Sequence, residues 1–131
     1  MSLPYAIKSK VIKIGDYAAD SNAIKHPLFA NPRKIKVNMV HFGHSVAVTA
    51  VDTNYNTIAV VVGATVIAQV LTGPAATGQD FVAGDYVPIT PEVGDEVIAA
   101  GANIELSFTK TGNGLLGKGL VVQIDYYEYD T

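Results

Sequence analysis

Apolar and polar side chains alternate with a period of two along several stretches of the chain. The clearest apolar series are Ile104, Leu106 and Phe108, then Leu120, Val122, Ile124 and Tyr126. Because successive side chains of a strand point to opposite faces, the two series predict two half-buried strands. The glycine-dense residues 112–119 between them predict a hairpin with a long, mobile loop.

Shorter extended segments account for the middle of the chain. Residues 35–39 alternate in the same way, and residues 46–51 follow closely enough to be their hairpin partner or sheet neighbour. Residues 57–71 predict one bent strand or two short ones interrupted at Gly63, since β-branched residues and glycine disfavour the competing helix. Residues 73–101 predict loop-rich β structure, with short extended pieces at 81–82, 86–89 and 96–99.

The first quarter of the chain has a weaker pattern. Residues 5–14 predict a strand, with a β-bulge between Lys10 and Lys13 where the spacing of polar residues changes from two to three. Residues 15–33, which include two prolines, predict an irregular arm.

Together the segments predict an all-β fold. Roughly seven or eight short strands joined by Gly and Pro turns are typical of an antiparallel β-sandwich of jelly-roll type. A chain of 131 residues has the usual size of one domain. We therefore expect a single sandwich domain over residues 1–131, with residues 1–33 as its N-terminal strand and irregular arm.

The composition indicates that part of the protein's surface is covered by other proteins. Hydrophobic residues make up 49% and charged residues only 16% of the chain, against roughly 25% charged residues in an average soluble domain. This favours assembly with other proteins, and a monomer coated with Thr, Asn and Gly is the alternative. The absence of cysteine excludes disulfides, a thiolate nucleophile and Cys-bound zinc.

The ends and the apolar runs predict no membrane partner. The first fifteen residues alternate instead of forming a signal sequence, and the apolar run 58–64 is far shorter than a membrane span. We expect a soluble protein made in the cytoplasm.

Basic residues concentrate at the front of the chain. They are Lys8, Lys10, Lys13, Lys25, Arg33, Lys34 and Lys36, against two carboxylates in the same stretch; the remainder has two lysines and ten carboxylates. An acidic remainder would repel nucleic acid, so the asymmetry favours a protein partner. The alternative is that these lysines face solvent and protect strand edges from unwanted pairing.

Two patterns imitate metal sites. His41 and His44 lie three residues apart, but zinc needs a third protein ligand and no carboxylate or thiol lies nearby in the sequence. Asp52, Asn54 and Asn56 imitate the start of a calcium loop, which then lacks the glycine at its sixth position and the glutamate at its twelfth. A polar turn is the preferred interpretation of the second pattern, and we predict no metal or cofactor.

Two further patterns imitate catalytic or nucleotide sites. Loop carboxylates, which a glycosidase would need in pairs facing one cleft, are Asp80, Asp85, Glu92, Asp95 and Glu96. The glycines of residues 112–117 have dinucleotide-loop spacing but lead into a predicted strand instead of a helix. We expect neither an enzyme nor a small-molecule substrate.

The densest aromatic patch is at the carboxyl end. Tyr126, Tyr127 and Tyr129 supply large contact areas at low entropic cost, which suits protein interfaces and sugar stacking alike. On a strand, Tyr126 would face opposite to Tyr127 and Tyr129, so one core-facing ring with two rings at the rim is the alternative interpretation.

The C-terminal third also resembles a known family. Residues 97–112, VIAAGANIELSFTKTG, a Gly-rich turn, and residues 119–126, GLVVQIDY, resemble the closing hairpin of small jelly-roll virion proteins of tailed bacteriophages, particularly capsid decoration or cement proteins. The resemblance implies a homotrimer on the outer capsid surface that stabilises junctions between major capsid proteins. It implies no catalytic residues.

The leading hypothesis is therefore a structural virion protein with a major capsid protein as partner. Contact residues are expected at Lys8, Lys10, Lys13, Lys25, Arg33, Tyr126, Tyr127 and Tyr129. A carbohydrate-binding or receptor-binding module of a phage particle, using exposed tyrosines and loop acids, is the second hypothesis. A hydrolase using two of the loop carboxylates is the third.

Overall fold

The described part of the chain is built from β-strands. The computed structural model describes residues 7–18 and 22–129. The strands are β1 (Lys8–Tyr17), β2 (Ile24–Ala30), β3 (Ile35–Gly43), β4 (Tyr55–Val62), β5 (Thr65–Leu71), β6 (Tyr86–Ile89), β7 (Val97–Ile98), β8 (Asn103–Thr111) and β9 (Gly117–Glu128). Within these residues there is no helix long and apolar enough to cross a membrane.

The strands form two antiparallel sheets. The first sheet has the order β1-β9-β3-β6, with the short β7 also paired to β3, and the second has the order β2-β8-β4-β5. Every pairing between strands is antiparallel. Apolar side chains of both sheets belong to one buried cluster. The predicted all-β antiparallel sandwich is confirmed.

The core lies between the sheets and takes up the predicted apolar series. Leu120, Val122 and Ile124 of β9 are fully buried, whereas the side chains between them are half-buried on the other face. Ile104 and Leu106 of β8 enter the same core from the second sheet. Since burying one such side chain stabilises by about 1.5–3 kcal/mol, these two strands contribute strongly to the cohesion of the sandwich.

The segment 57–71 is resolved as two strands. β4 and β5 pair as a hairpin that reverses at Gly63 and Ala64. Gly63 has a φ of 60°, in the left-handed region that glycine adopts without a steric penalty. The alternative of two short strands is confirmed, and the single bent strand is wrong.

The two C-terminal strands do not form the predicted hairpin. β8 belongs to the second sheet and β9 to the first, so residues 112–116 carry the chain across the sandwich. The side chain of Asn56 holds this crossover, because its Nδ2 donates to the carbonyl of Leu115 and its Oδ1 accepts from the Leu115 N–H at 3.3 Å. Alternation located the strands correctly but carries no information on which sheet each strand joins.

The first strand is displaced from its predicted position. β1 runs from Lys8 to Tyr17, and Tyr5, where the strand was predicted to begin, lies outside the described residues. Its register breaks between Lys13 and Gly15 and again between Gly15 and Tyr17, so the predicted bulge between Lys10 and Lys13 is wrong. Gly15, with a φ of 99°, supplies the backbone conformation that the break requires.

The predicted irregular arm contains a regular strand. β2 occupies Ile24–Ala30 and pairs with β8 at the edge of the second sheet. Pro27 is tolerated there, since an edge strand bonds to a neighbour on one side only. The prediction of an irregular arm over residues 15–33 is therefore wrong for residues 15–17 and 24–30.

Residues 46–51 do not form the predicted partner of β3. Only Val48 is bridged, to Phe81, outside the named strands. β3 pairs instead with β9, β6 and β7. The predicted extended pieces at 86–89 and 96–99 are confirmed as β6 and β7, the latter reduced to Val97–Ile98.

Candidate functional site

The outward face of the first sheet carries a polar cluster centred on Asp125. The register brings Ser9 of β1 opposite Asp125 of β9, and His41 of β3 opposite Gln123. Ser9 Oγ donates to Asp125 Oδ1 at 2.6 Å, Gln123 Nε2 donates to the same oxygen at 3.0 Å, and His41 Nε2 lies 3.0 Å from Oδ2. Burial raises the pKa of Asp125, but these three hydrogen bonds outweigh it and hold the pKa below its ordinary value.

The geometry of this cluster is that of a fixed carboxylate. Ser9 and His41 both bond Asp125, whereas an activated serine nucleophile needs the imidazole between the hydroxyl and the carboxylate. The cluster ties β1, β9 and β3 together and keeps an ionised group at the centre of the face.

A shallow cavity of about 170 Å³ is lined by Tyr86, whose ring centroid lies 6.2 Å from that of His41. Val121, Gly43 and Tyr86 form one row across β9, β3 and β6. A Cβ on Gly43 would lie 3.2 Å from the Asp85 carbonyl oxygen and 3.3 Å from Tyr86 Cδ1, so glycine leaves the floor of the cavity open. Ser45 and Asp85 are also among the lining residues, and the surface of the cavity is mainly apolar.

The two predicted histidines lie on opposite sides of the first sheet. His41 faces outward, whereas His44 is 2% exposed, with its ring centroid 4.4 Å from that of Phe81 and its Nε2 3.1 Å from the Tyr17 hydroxyl. Burial lowers the pKa of His44 to about 4. Burial also raises the pKa of Tyr17, although a hydrogen bond with Asn56 opposes the shift. The pair therefore shares no cation, and residues 7–18 and 22–129 contain no cluster of three or more potential His, Asp or Glu ligands.

The calcium-like pattern is a set of turn-stabilising hydrogen bonds. Asp52 Oδ1 accepts from the Ala75 N–H at 3.0 Å, and Asn54 Oδ1 accepts from the Asn113 N–H at 2.9 Å. Asn56 holds the crossover as described above. Each side chain bonds a separate backbone group, so the oxygens do not converge. The predicted turn over residues 52–56 is confined to residues 52–54, because Asn56 belongs to β4. Sequence reasoning missed the buried role of Asn56, which is 1% exposed.

The loop carboxylates are dispersed. Asp85, Asp95 and Glu96 line three different cavities. Asp80 accepts a backbone hydrogen bond at 2.7 Å, and Glu96 accepts one from Gly94 at the same distance. None of these three cavities presents the paired acids that glycoside hydrolysis needs.

The glycines with dinucleotide-loop spacing precede a strand, and one of them allows close packing of an aromatic ring. β9 begins at Gly117, so a strand and not a helix follows them, as predicted. A Cβ on Gly117 would lie 2.3 Å from Cε1 of Tyr17. Glycine at this position lets the Tyr17 ring lie against the backbone.

The predicted basic contact residues fall into two groups. Lys8, Lys10 and Lys13 are exposed on β1, at the edge of the first sheet. Lys8 forms an ion pair with Glu128, and the Lys10 ammonium lies 5.4 Å from the centroid of the Phe29 ring. These lysines retain exposed surface while covering parts of the sandwich.

The other two predicted basic residues lie on different elements. Lys25 is on β2 of the second sheet, where its Nζ donates to the carbonyl of Gly63 at 3.3 Å. Arg33 is exposed in the turn before β3. The hydrogen bond from Lys8 lowers the pKa of Glu128, and the charge of Arg33 also lowers it. Arg33 therefore shares the surroundings of Glu128 with Lys8, whereas Lys25 lies on the other sheet.

The terminal tyrosines divide as the alternative interpretation stated. Tyr126 is 3% exposed, and its ring centroid lies 5.8 Å from that of Phe29. The prediction of a contact role for Tyr126 is wrong, because this ring belongs to the core. Tyr127 is half-buried on the outward face, and Tyr129 is half-buried after β9, where its ring centroid lies 4.8 Å from the Lys34 ammonium.

Five of the nine exposed large apolar side chains in the described residues lie at the two edges of the first sheet, and sequence reasoning missed them. The other four lie on β2 and in loops: Ile24, Val46, Val82 and Leu116. Ile7 and Val11 are 48% and 54% exposed at the β1 edge, which we define as residues 7–13. Tyr86, Val93 and Val97 are 44%, 98% and 41% exposed at the β6–β7 edge, defined as residues 85–97. The sequence feature that indicates an exposed apolar side chain is Val93, an apolar residue within an otherwise acidic and Gly/Pro-rich loop.

The chain matches no protein-family model and no curated protein.

The functional assignment therefore rests on these faces. The first sheet combines two apolar edges, a fixed carboxylate on its outward face and a shallow cavity over Gly43. Such a surface is suited to packing against other molecules.

Proposed function

We propose that the chain is a structural virion protein, a capsid decoration or cement protein that binds the outer surface of a phage head and stabilises it through homo-oligomeric contacts. The observation that carries the proposal is the exposure of large apolar side chains, including Val11 and Val93, at both edges of the first sheet. Grouped apolar side chains at sheet edges are typical of surfaces that other proteins cover.

The strand order supports the jelly-roll type that we propose for the sandwich. Consecutive strands change sheets from β1 to β2, β2 to β3, β3 to β4, β5 to β6, β7 to β8 and β8 to β9. Double-sheet jelly rolls join two Greek keys with such crossings, and they occur in viral capsid proteins. Fold alone does not give function, so the exposed edges remain the principal support.

Composition agrees with this role. Only 16% of residues are charged, as suits a protein whose surface is covered by neighbouring subunits and by a major capsid protein. We propose a homotrimer on the capsid surface.

A binding experiment tests the proposal. Heads of the virus that encodes the chain, stripped of surface proteins, are mixed with purified protein and sedimented. We expect saturable binding at a fixed ratio to the major capsid protein and a higher melting temperature of the heads. Val11→Asp should weaken binding, whereas Leu116→Asp should not, since Leu116 is exposed to a matching 53% in the crossover, away from both edges. A stable monomer that leaves the heads unbound would contradict the proposal.

A truncation test of N-terminal anchoring must spare the first strand. Residues 8–17 form β1 and pair with β9 along most of their length. Removing residues 1–20 would therefore expose β9 and damage the first sheet. Removing residues 1–6 leaves every described strand intact, and weaker head binding by that variant would assign anchoring to those residues.

The cavity over Gly43 favours a second candidate function, a carbohydrate-binding or receptor-binding module. Tyr86 offers an exposed aromatic ring for stacking, and Asp85 and Ser45 lie in the same lining to bond hydroxyl groups. A glycan array should then show binding that is lost in Tyr86→Ala and kept in Tyr129→Ala. Binding to no glycan, or equal loss in both variants, would reject this candidate.

A further inference from the structure

The two edges of the first sheet carry opposite charge. The β1 edge has Lys8, Lys10 and Lys13, all exposed. The β6–β7 edge has exposed Asp85 and Glu92 together with two half-buried carboxylates. One basic residue, the exposed Lys36 of β3, lies opposite Val97, so the four carboxylates outnumber it at this edge. Because β1 and β6 are the two ends of the strand order, the charges lie at opposite ends of the sheet.

Each edge combines its charges with exposed apolar side chains. Ile7 and Val11 accompany the lysines, and Val93 and Val97 accompany the carboxylates. Apolar contact provides affinity, and opposite charges provide orientation and speed of encounter. The two edges are therefore complementary to each other in both respects, whereas two copies of the same edge would repel.

The backbone at both edges disfavours a continuous intermolecular sheet. Within the described chain, β1 pairs only with β9 and β6 only with β3. Pro88 of β6 lacks an N–H group, and edge lysines oppose strand pairing. Contact between the edges would therefore be made mainly through side chains.

We infer that the β1 edge of one copy docks on the β6–β7 edge of a second copy, head to tail. This inference rests on the homo-oligomer of the proposed function and specifies its contact surfaces. Since each copy presents one edge of each kind, the contact is heterologous and closes into a ring, such as a trimer, when the rotation per subunit fits.

Charge reversal tests the inference. One variant carries Lys10→Glu and Lys13→Glu, a second carries Asp85→Lys and Glu92→Lys, and a third carries all four substitutions. Sedimentation equilibrium at low salt should show at least about tenfold weaker association for each of the first two. The third should recover association close to that of the unchanged chain. An equimolar mixture of the first two should recover contacts between unlike variants, as pairs or even-numbered assemblies, since a ring of three cannot close by alternating them. Circular dichroism melts verify folding of all three.

The matched control lies away from both edges. Glu105→Lys with Lys118→Glu alters one charge of each sign on β8 and β9, and association should remain unchanged. Persistence of the oligomer in both reversal variants, or failure of the folded third variant and of the mixture to associate, would overturn the inference while leaving a homo-oligomer formed by another surface. If the reversal variants associate as predicted but the unchanged chain does not bind heads, the decoration role is overturned and the edge contact is retained. An unchanged chain that is monomeric at all concentrations overturns both.

Discussion

Acidification should destabilise the protein through His44. Its imidazole is 2% exposed, packs against Phe81 and reaches only the Tyr17 hydroxyl, and within the described chain its Nδ1 has no hydrogen-bond partner. Burial opposes the charged form and lowers its pKa from 6.5 to about 4. The unfolded chain therefore binds a proton at a higher pH than the folded chain does.

The size of the effect follows from this difference in pKa. Stability is fully present above the unfolded value and falls as the pH decreases, with a slope approaching about 1.36 kcal/mol per pH unit between the two pKa values. The loss amounts to about 2 kcal/mol from pH 7 to pH 5 and levels off near roughly 3 kcal/mol below pH 4. For a domain with roughly 5–15 kcal/mol of stability this is a large share.

Urea unfolding at several pH values, at one fixed protomer concentration, measures the effect. His44→Gln removes the titrating ring, so its free energy of unfolding should change much less between pH 7 and pH 5, whatever its absolute value. His26→Gln, at an exposed position on β2, should keep the slope of the unchanged chain. Parallel curves for the unchanged chain and His44→Gln would refute the assignment of the pH dependence to this buried ring.

Two further predictions concern the packing of the loops. Asn56→Ala leaves the N–H and the carbonyl of Leu115 without their side-chain partner, so we expect the free energy of unfolding in urea to fall by about 2–4 kcal/mol. Asn54→Ala, at the rim, should lower it by less than about 1 kcal/mol. Equal losses in the two variants would contradict the role of Asn56 in the crossover. Gly119 has a φ of 60°, and a Cβ added there would lie 2.2 Å from Ser45 Oγ. Gly84 has a φ of 79° but open space around it. The melting temperature should therefore fall further in Gly119→Ala than in Gly84→Ala. A smaller fall for Gly119→Ala would contradict the contact.

The sequence predicted strands better than their connections. Alternation identified β3, β8 and β9 because these strands have one face in the core and one face outside. It did not identify β2, whose residues 24–27 are exposed on both faces and whose pairing depends on β8. Nor did it show that β8 and β9 enter different sheets, because that choice depends on contacts distant in sequence, such as Asn56 with Leu115.

The candidate site was predictable only in part. The inward direction of Tyr126 follows from the period of a strand, although the aromatic patch favoured a contact role for this ring. The separation of His41 from His44 does not follow from the period alone, because His44 lies beyond the end of β3. The cluster around Asp125 does not follow from it either, since it joins residues 9, 41, 123 and 125 through the register of three strands. The opposite charges of the two edges were visible in the sequence, but their positions at the two ends of one sheet required the strand order.

The native mass of the purified protein tests the central claim most directly. Sedimentation equilibrium at micromolar concentration should give a multiple of the 13.8 kDa chain mass, about threefold for a trimeric ring, with the oligomer weakening as salt screens the edge charges. A mass of 13.8 kDa that does not change with concentration or salt would contradict the account of a protein made to pack against copies of itself.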